Sequence, residues 1–164
     1  MGKETKLLEK IELAVPGYHG YKKKELMRED DRIIRGKVAD ILAMARKDME
    51  RALQRCAMVN CQQLVAIDGM RKKLIALESR VRHAEAGYSG YFDRIKVRED
   101  ELNALIEYDA KLIELAQAIA DAVGKLNGAI ADPRNLGMAV FDLDDKLREL
   151  EETLDKRNTV LVGE

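Results

Sequence analysis

Gly17-Tyr18-His19-Gly20-Tyr21 recurs seventy positions later as Gly87-Tyr88-Ser89-Gly90-Tyr91. Working outward, Arg28-Glu29-Asp30 follows the first copy and Arg98-Glu99-Asp100 follows the second at the same offset. Upstream, Leu7, Lys10, Ile11 and Ala14 align with Leu77, Arg80, Val81 and Ala84. Four of the five tyrosines fall in these two motifs, in a chain with no Trp and two Phe. The chain therefore reads as two related halves, with an internal repeat over 7–35 and 77–105. Each half is a helix, an aromatic-glycine turn and the charged start of a longer helix.

Glycine in such a turn supplies the positive φ that stops a helix. Tyrosine offers an apolar ring to bury and a hydroxyl that must stay hydrogen-bonded or wet. Two readings follow. The motif plugs one end of a helical assembly, or it is a recognition surface made of Tyr18, Tyr21, Lys22, Lys23, Lys24, Arg28, Tyr88 and Tyr91. Aromatic rings beside cations suit protein hot spots or stacking on single-stranded nucleic acid. The first copy runs into three lysines and the second into Phe92-Asp93-Arg94, an asymmetry that favours a shared structural role over a shared ligand.

At 164 residues, 36% charged and 4% aromatic, the composition suits long helices in a single domain over 1–164. A chain of this length hides roughly 70% of its unfolded surface. Apolar residues recur at helical spacing from end to end, and no alternating β-branched run competes with them. The spacing predicts a short helix over 3–14 ended by Pro16-Gly17. A second helix runs from about Lys23 along Leu26, Ile34, Val38, Ile41, Ala45, Met49, Ala52, Cys56 and Val59. A turn is expected over 57–62, because an unbroken rod over 23–86 would reach about 95 Å. The next helix carries Leu64, Ile67, Met70, Leu74, Leu77, Val81 and Ala84. A fourth spans 93–131, with Leu102, Leu105, Asp109, Leu112, Ala116, Ile119, Val123, Leu126 and Ile130 on its seam. The last follows Asp132-Pro133, with Asn135 as N-cap and Leu136, Val140, Leu143, Leu147, Leu150, Leu154 and Leu161 on one stripe. The expected fold is all-α: an antiparallel bundle of four long helices with coiled-coil-like seams, plus the short N-terminal helix.

Polar residues in this frame are few enough to weigh one by one. Asp109 sits on a seam, where a carboxylate is costly unless paired. Either the helix rotates to put Tyr108 or Leu105 inward, or Asp109 pairs with a cation of the basic half and sets register, or it has a catalytic or metal role. Cys56 and Cys61 match no zinc or CxxC spacing and read as two reduced thiols. Lys22–Lys24, Arg28, Arg32, Arg35 and Lys37 are interleaved with acids, and Asp31–Arg35 can pair across one turn. This cluster reads as a solvated helix face, with an anionic partner as the alternative. His19 and His83 lack the Glu-x-x-His spacing of di-iron bundles. No nucleotide, serine-hydrolase or zinc-protease motif is present. No catalytic residue, metal or cofactor is expected, and the sequence indicates no particular small-molecule ligand.

Charge is unevenly spread. Residues 1–98 hold 22 Lys and Arg against 14 Asp and Glu, a net of +8, and residues 99–164 net −9. The two halves then pack together within one bundle, or copies associate head to tail. No membrane-length apolar run or signal-peptide pattern is seen, and a cytoplasmic location is expected.

The run Pro16-Gly17-Tyr18-His19-Gly20-Tyr21-Lys22-Lys23-Lys24-Glu25-Leu26, with Arg28, Asp31 and Arg32 after it, resembles a motif of uncharacterised prokaryotic helical proteins. Gly87-Tyr88-Ser89-Gly90-Tyr91-Phe92-Asp93, with Glu107-Tyr108-Asp109 further on, resembles it as well. His19 stands where the motif leads one to expect Lys. The resemblance implies no activity and carries over no catalytic residue. The expected function is a non-enzymatic helical interaction or scaffolding module, bound to a protein partner or to itself. The alternatives are an RNA- or ribosome-associated factor using the Tyr/Lys-rich end, and a metal-dependent bundle enzyme built on Asp109 with His19 or His83.

Overall fold

The structure is a computed structural model that describes residues 2–21, 27–84 and 99–162. Among these residues the chain forms five helices and no strand: α1 (Gly2–Ala14), α2 (Met27–Val59), α3 (Leu64–His83), α4 (Glu99–Gly128) and α5 (Pro133–Val162). None is long and apolar enough to cross a membrane. The helices pack as a bundle. α2 pairs with α3, α4 with α5, and α2 with α4, while α1 lies on α4.

Directions follow from the contacts. In the α2–α3 hairpin, Arg46 reaches Glu78 at 2.9 Å and Arg35 reaches the carbonyl of Arg82 at 3.2 Å, so these helices run antiparallel. Across the α2–α4 interface, Arg55 near the end of α2 donates to the carbonyl of Asn127 near the end of α4, at 2.9 Å. Asp31 and Asp109, both in the first half of their helices, share Arg157. α2 and α4 therefore run parallel, and two antiparallel hairpins lie side by side.

The seams bury as their spacing dictates. Ile34, Val38, Ala45, Met49, Ala52 and Cys56 of α2 are buried, as are Leu105, Leu112, Ala116, Ile119, Val123 and Leu126 of α4. Three stripe assignments shift. Leu42 is fully buried where Ile41 was expected, Val59 is 58% exposed at the end of its helix, and Leu64 is 39% exposed at the start of α3.

The α2–α3 turn corrects the expectation of two reduced thiols. Cys56 and Cys61 form a disulfide, with Cα atoms 4.9 Å apart. Five residues apart on one helix they would diverge, but the helix stops between them. Asn60 takes a left-handed conformation (φ 53°), its N–H donates to Ala57, and the N–H of Cys61 donates back to Cys56. This pair of bonds is a Schellman C-cap, and it folds Cys61 back onto Cys56. Disulfides persist in oxidising compartments and are rare in a reducing cytosol. At the other hairpin Asp132, not Asn135, caps the helix: its carboxylate accepts the backbone N–H of Asn135 at 3.5 Å and the Asn135 side-chain amide at 2.6 Å. Pro133 occupies the first helical position, where its missing N–H costs nothing.

Closing so short a loop removes unfolded-state entropy worth about 2 kcal/mol. Reducing the bond, or the Cys56→Ser/Cys61→Ser double variant, is expected to lower Tm by roughly 4–8 °C. Differential scanning calorimetry with and without reductant measures this, and an unchanged Tm counts against a stabilising bond.

Candidate functional site

The first GYxGY turn is built from its backbone upward. Gly17 and Gly20 have φ of 93° and 66°, and Tyr21 is also left-handed at 61°. A Cβ on Gly20 would force the Leu8 side chain to shift, and the positive φ strains any side chain at position 20. Asp30, fully buried in the first turn of α2, clasps this loop. Its two carboxylate oxygens accept the N–H of His19 and the N–H of Tyr21, each at 2.8 Å. A carboxylate near a helix N-terminus is favourably placed against the helix dipole. Left-handed tyrosine costs about 1–2 kcal/mol, and the bonds at both ends of Tyr21 hold it there.

The clasp aims both tyrosines into the bundle. Tyr18 is 3% exposed and Tyr21 0%. Their rings meet edge to face with centroids 5.8 Å apart, a favoured geometry for aromatic pairs. Both hydroxyls donate to the same oxygen of Asp109, from Tyr18 at 3.1 Å and from Tyr21 at 2.5 Å. The other Asp109 oxygen accepts from Nε of Arg157 at 2.7 Å. Arg157 also donates to the hydroxyl oxygen of Tyr21 at 3.1 Å and to Asp31 at 2.6 Å. The second oxygen of Asp31 takes Nε of Arg35 at 2.8 Å. The Arg35 guanidinium also reaches the carbonyl of Arg82, serving the end of α3, where helix carbonyls lack intrahelical partners. One polar network thus joins the turn, α2, α3, α4 and α5.

The electrostatics follow from burial. Burial pushes the Asp109 carboxyl above its ordinary range, against the downward pull of the Arg157 guanidinium and the Tyr21 hydroxyl. Burial alone would lower the pKa of Arg157, but Asp109, Tyr21 and Asp31 more than reverse this and keep it charged. Burial, with the Asp109 charge beside them, raises both tyrosines well above 10.0. Three donors converge on Asp109, which fits an acceptor-only carboxylate.

Of the candidate residues, the structure brings Tyr18, Tyr21 and Asp109 into this buried network. Arg28 is exposed at the start of α2, and Lys22, Lys23, Lys24, Tyr88 and Tyr91 lie outside the described residues. Neither Tyr18 nor Tyr21 forms part of an exposed surface. Asp109 is not rotated outward, and its cation comes from the acidic half of the chain rather than the basic half. Asp31–Arg35 does pair across one turn, but inside the bundle and not on a solvated face. Arg32, by contrast, pairs with Glu29 in solvent. Among the described residues no group of three His, Cys, Asp or Glu is placed to hold a metal ion. His19 and His83 are both exposed.

Sequence reasoning missed Arg157, although a signal was there. The α5 stripe of Leu143, Leu147, Leu150 and Leu154 next predicts position 157, and Arg occupies it. Asp31 likewise fills the gap between Met27 and Ile34 on α2. Charges of opposite sign at three seam positions are a mutual signal that one helix read alone does not give. No family model matches the chain, and neither a curated protein nor a solved structure matches it, so the geometry carries the reading.

Removing one partner from a buried pair leaves an uncompensated charge and costs about 3–5 kcal/mol. Arg157→Met and Asp109→Leu are each expected to lose stability on that scale in urea unfolding. The double variant is expected to lose at least about 1 kcal/mol less than the sum, and additive losses would show that the pair is not coupled. A second outcome concerns alkali. The folded-state pKa of Tyr18 and Tyr21 lies above the unfolded value of 10.0. The unfolded chain alone then releases these protons, so their contribution is intact below pH 10 and is lost as pH rises further. Phenolate absorbance from these two residues, assigned with Tyr18→Phe and Tyr21→Phe, is expected only as the protein unfolds. Ionisation in the native state would show that they are accessible.

Proposed function

We propose that this protein is a non-enzymatic helical interaction module that docks another protein through the outer face of α3 and α5. The observation that carries this reading is a surface groove of about 490 Å³ lined by Ala66, Gly69, Met70 and Lys73 of α3 and by Gly137, Val140, Phe141 and Asp144 of α5. Phe141 stands on its lip at 77% exposure, with Val65 at 86% and Met138 at 67% on the same two helices. Single exposed apolar residues are ordinary, whereas a contiguous apolar face rimmed by charge marks an interaction site. Tyr18 and Tyr21 of the first GYxGY turn are committed, with Asp109, Asp31 and Arg157, to one network inside the bundle. That supports a structural role for the motif and directs attention to the surface.

The side-by-side hairpins also support descent from a duplicated unit. Under the seventy-residue offset α2 corresponds to α4, and the α2–α3 turn corresponds to the α4–α5 turn. The parallel course of α2 and α4 is what a two-fold relation along the bundle axis requires.

Replacing a residue as exposed as Phe141 changes stability by no more than about 0.5 kcal/mol, so Phe141→Asp separates docking from folding. Proximity labelling in the native host is expected to mark a small set of protein neighbours that Phe141→Asp loses at least tenfold. An identical neighbour set in the variant, or RNA as the dominant crosslinked species, would overturn the reading.

A further inference from the structure

The two halves of the Cys56–Cys61 bond are unequally placed. Cys56 lies in the last turn of α2 and is fully buried in the apolar core. Cys61 lies just past the helix end and is half-buried. It lines a surface groove of about 360 Å³ between the two hairpin turns, with Asn60, Gln62 and Gln63 on its own side and Ile130, Ala131 and Pro133 on the other. The rate at which a thiolate cleaves a disulfide depends on which sulfur is attacked and on access to it. A reagent reaching Cys56 would have to pass through the core, whereas Cys61 is approached from the groove.

The turn is also built to keep its shape without the bond. The stop that brings the two residues together is made of backbone hydrogen bonds, from Asn60 to Ala57 at 3.4 Å and from Cys61 to Cys56 at 2.9 Å. Sγ of Cys56 lies 3.6 Å from the carbonyl oxygen of Cys61, so a thiol at position 56 finds a weak acceptor already in place. The bond links residues only five positions apart, and neither the leucine seams nor the Asp109 network passes through it. Both redox states therefore keep the bundle. Thiols held face to face by the backbone re-close far faster than free ones, because their encounter is already arranged. Exposed disulfides are the labile and regulatory ones, and those that form in reducing compartments are usually transient or redox-sensing.

We infer that the Cys56–Cys61 turn is a reversible thiol–disulfide exchange site, attacked at Cys61 by a dithiol reductant. A thiolate of the reductant forms a bond to Sγ of Cys61 as the Cys56–Cys61 bond breaks. The electron pair of the broken bond leaves with Cys56, which takes a proton from water, since its apolar surroundings favour the neutral thiol. The reductant's second thiol then gives up a proton and attacks its own partner sulfur, which releases Cys61. Two electrons have passed, the reductant leaves as a disulfide, and the chain holds two thiols. A disulfide oxidant reverses the sequence. Reduction frees the Cys61 side chain on the groove wall while the bundle stays folded. The site shares no residue with the α3–α5 groove and does not rest on the docking reading.

Reduction of the native protein tests it. Dithiothreitol is added to the wild-type chain at a series of urea concentrations below the unfolding transition, and the free thiols are counted by alkylation and mass spectrometry. The rate is expected to rise in proportion to dithiothreitol and by about tenfold per pH unit below that reagent's own pKa, because the thiolate is the nucleophile. It is expected to stay within about twofold across the urea series, since the sulfur attacked is reached without global opening. A bond that resists reduction in the absence of urea, or a rate that climbs steeply with urea as unfolding does, overturns the proposal. Single variants locate the attacked sulfur. In Cys56→Ser the remaining thiol is expected to exchange with oxidised glutathione at least about a hundredfold faster than the thiol left in Cys61→Ser, because only the first is accessible. Equal rates, or the reverse order, overturn the assignment of Cys61. Reduced wild-type protein given oxidised glutathione is expected to re-form its own bond without accumulating an adduct. A lasting glutathione adduct at Cys61 would show that the two thiols part on reduction, and reversibility at this turn would fall. The wild-type measurements stand whether or not either variant folds.

Discussion

Asp109 is fully buried, and every arrangement around it answers that fact. A carboxylate withdrawn from water costs several kcal/mol unless its lone pairs are filled and its charge is met. Here one oxygen takes two phenol hydroxyls and the other takes a guanidinium. The guanidinium in turn bridges to Asp31 on α2. Replacing such a network by an apolar layer of similar volume is often neutral or stabilising, so net stability is not what distinguishes it. Apolar seams tolerate a slip of one helical turn, about 5.4 Å, because another leucine arrives at each position. A slip of α5 by that distance would carry Arg157 away from both Asp31 and Asp109. The charges select one register among several that the leucines accept.

The first GYxGY turn belongs to the same constraint. Its two tyrosines reach Asp109 only because the backbone is held in a left-handed course from Gly20 to Tyr21, and that course is held by Asp30. Neighbouring acids thus have separate tasks, Asp30 binding loop N–H groups and Asp31 binding arginines. Leu8 of α1 fills the space that a side chain at position 20 would need. Through that contact the short first helix is keyed to the turn that follows it.

The helical plan was legible because burial follows apolar spacing, and the α4 seam from Leu105 to Leu126 holds residue by residue. Helix ends were less legible, because caps depend on local geometry. Asn60 stops α2 through a left-handed conformation that asparagine tolerates without announcing it. The disulfide depends on that stop and was invisible for the same reason. The polar core was half legible. Asp109 stood out as a carboxylate on a seam, but its partner lies 48 residues away, within the acidic half, where the regional charge balance gives no sign of it. The α3–α5 groove was not legible at all. It lies between two helices far apart in sequence, and neither helix alone encodes their separation.

The network also has an order in time. It joins positions 21, 31, 109 and 157, with separations of up to 136 residues. A ribosome delivers the chain from its N-terminus, so Asp31 and Asp109 are both made long before Arg157 exists. Until then the α2–α4 interface would enclose two carboxylates without the cation that joins them. The α2–α3 hairpin can form locally as it emerges, with Asp31 met by Arg35, but docking α4 beside it would bury Asp109 without its guanidinium until α5 arrives. The finished α2–α4 interface therefore depends on a cation from α5, a dependence that an all-leucine seam would not impose.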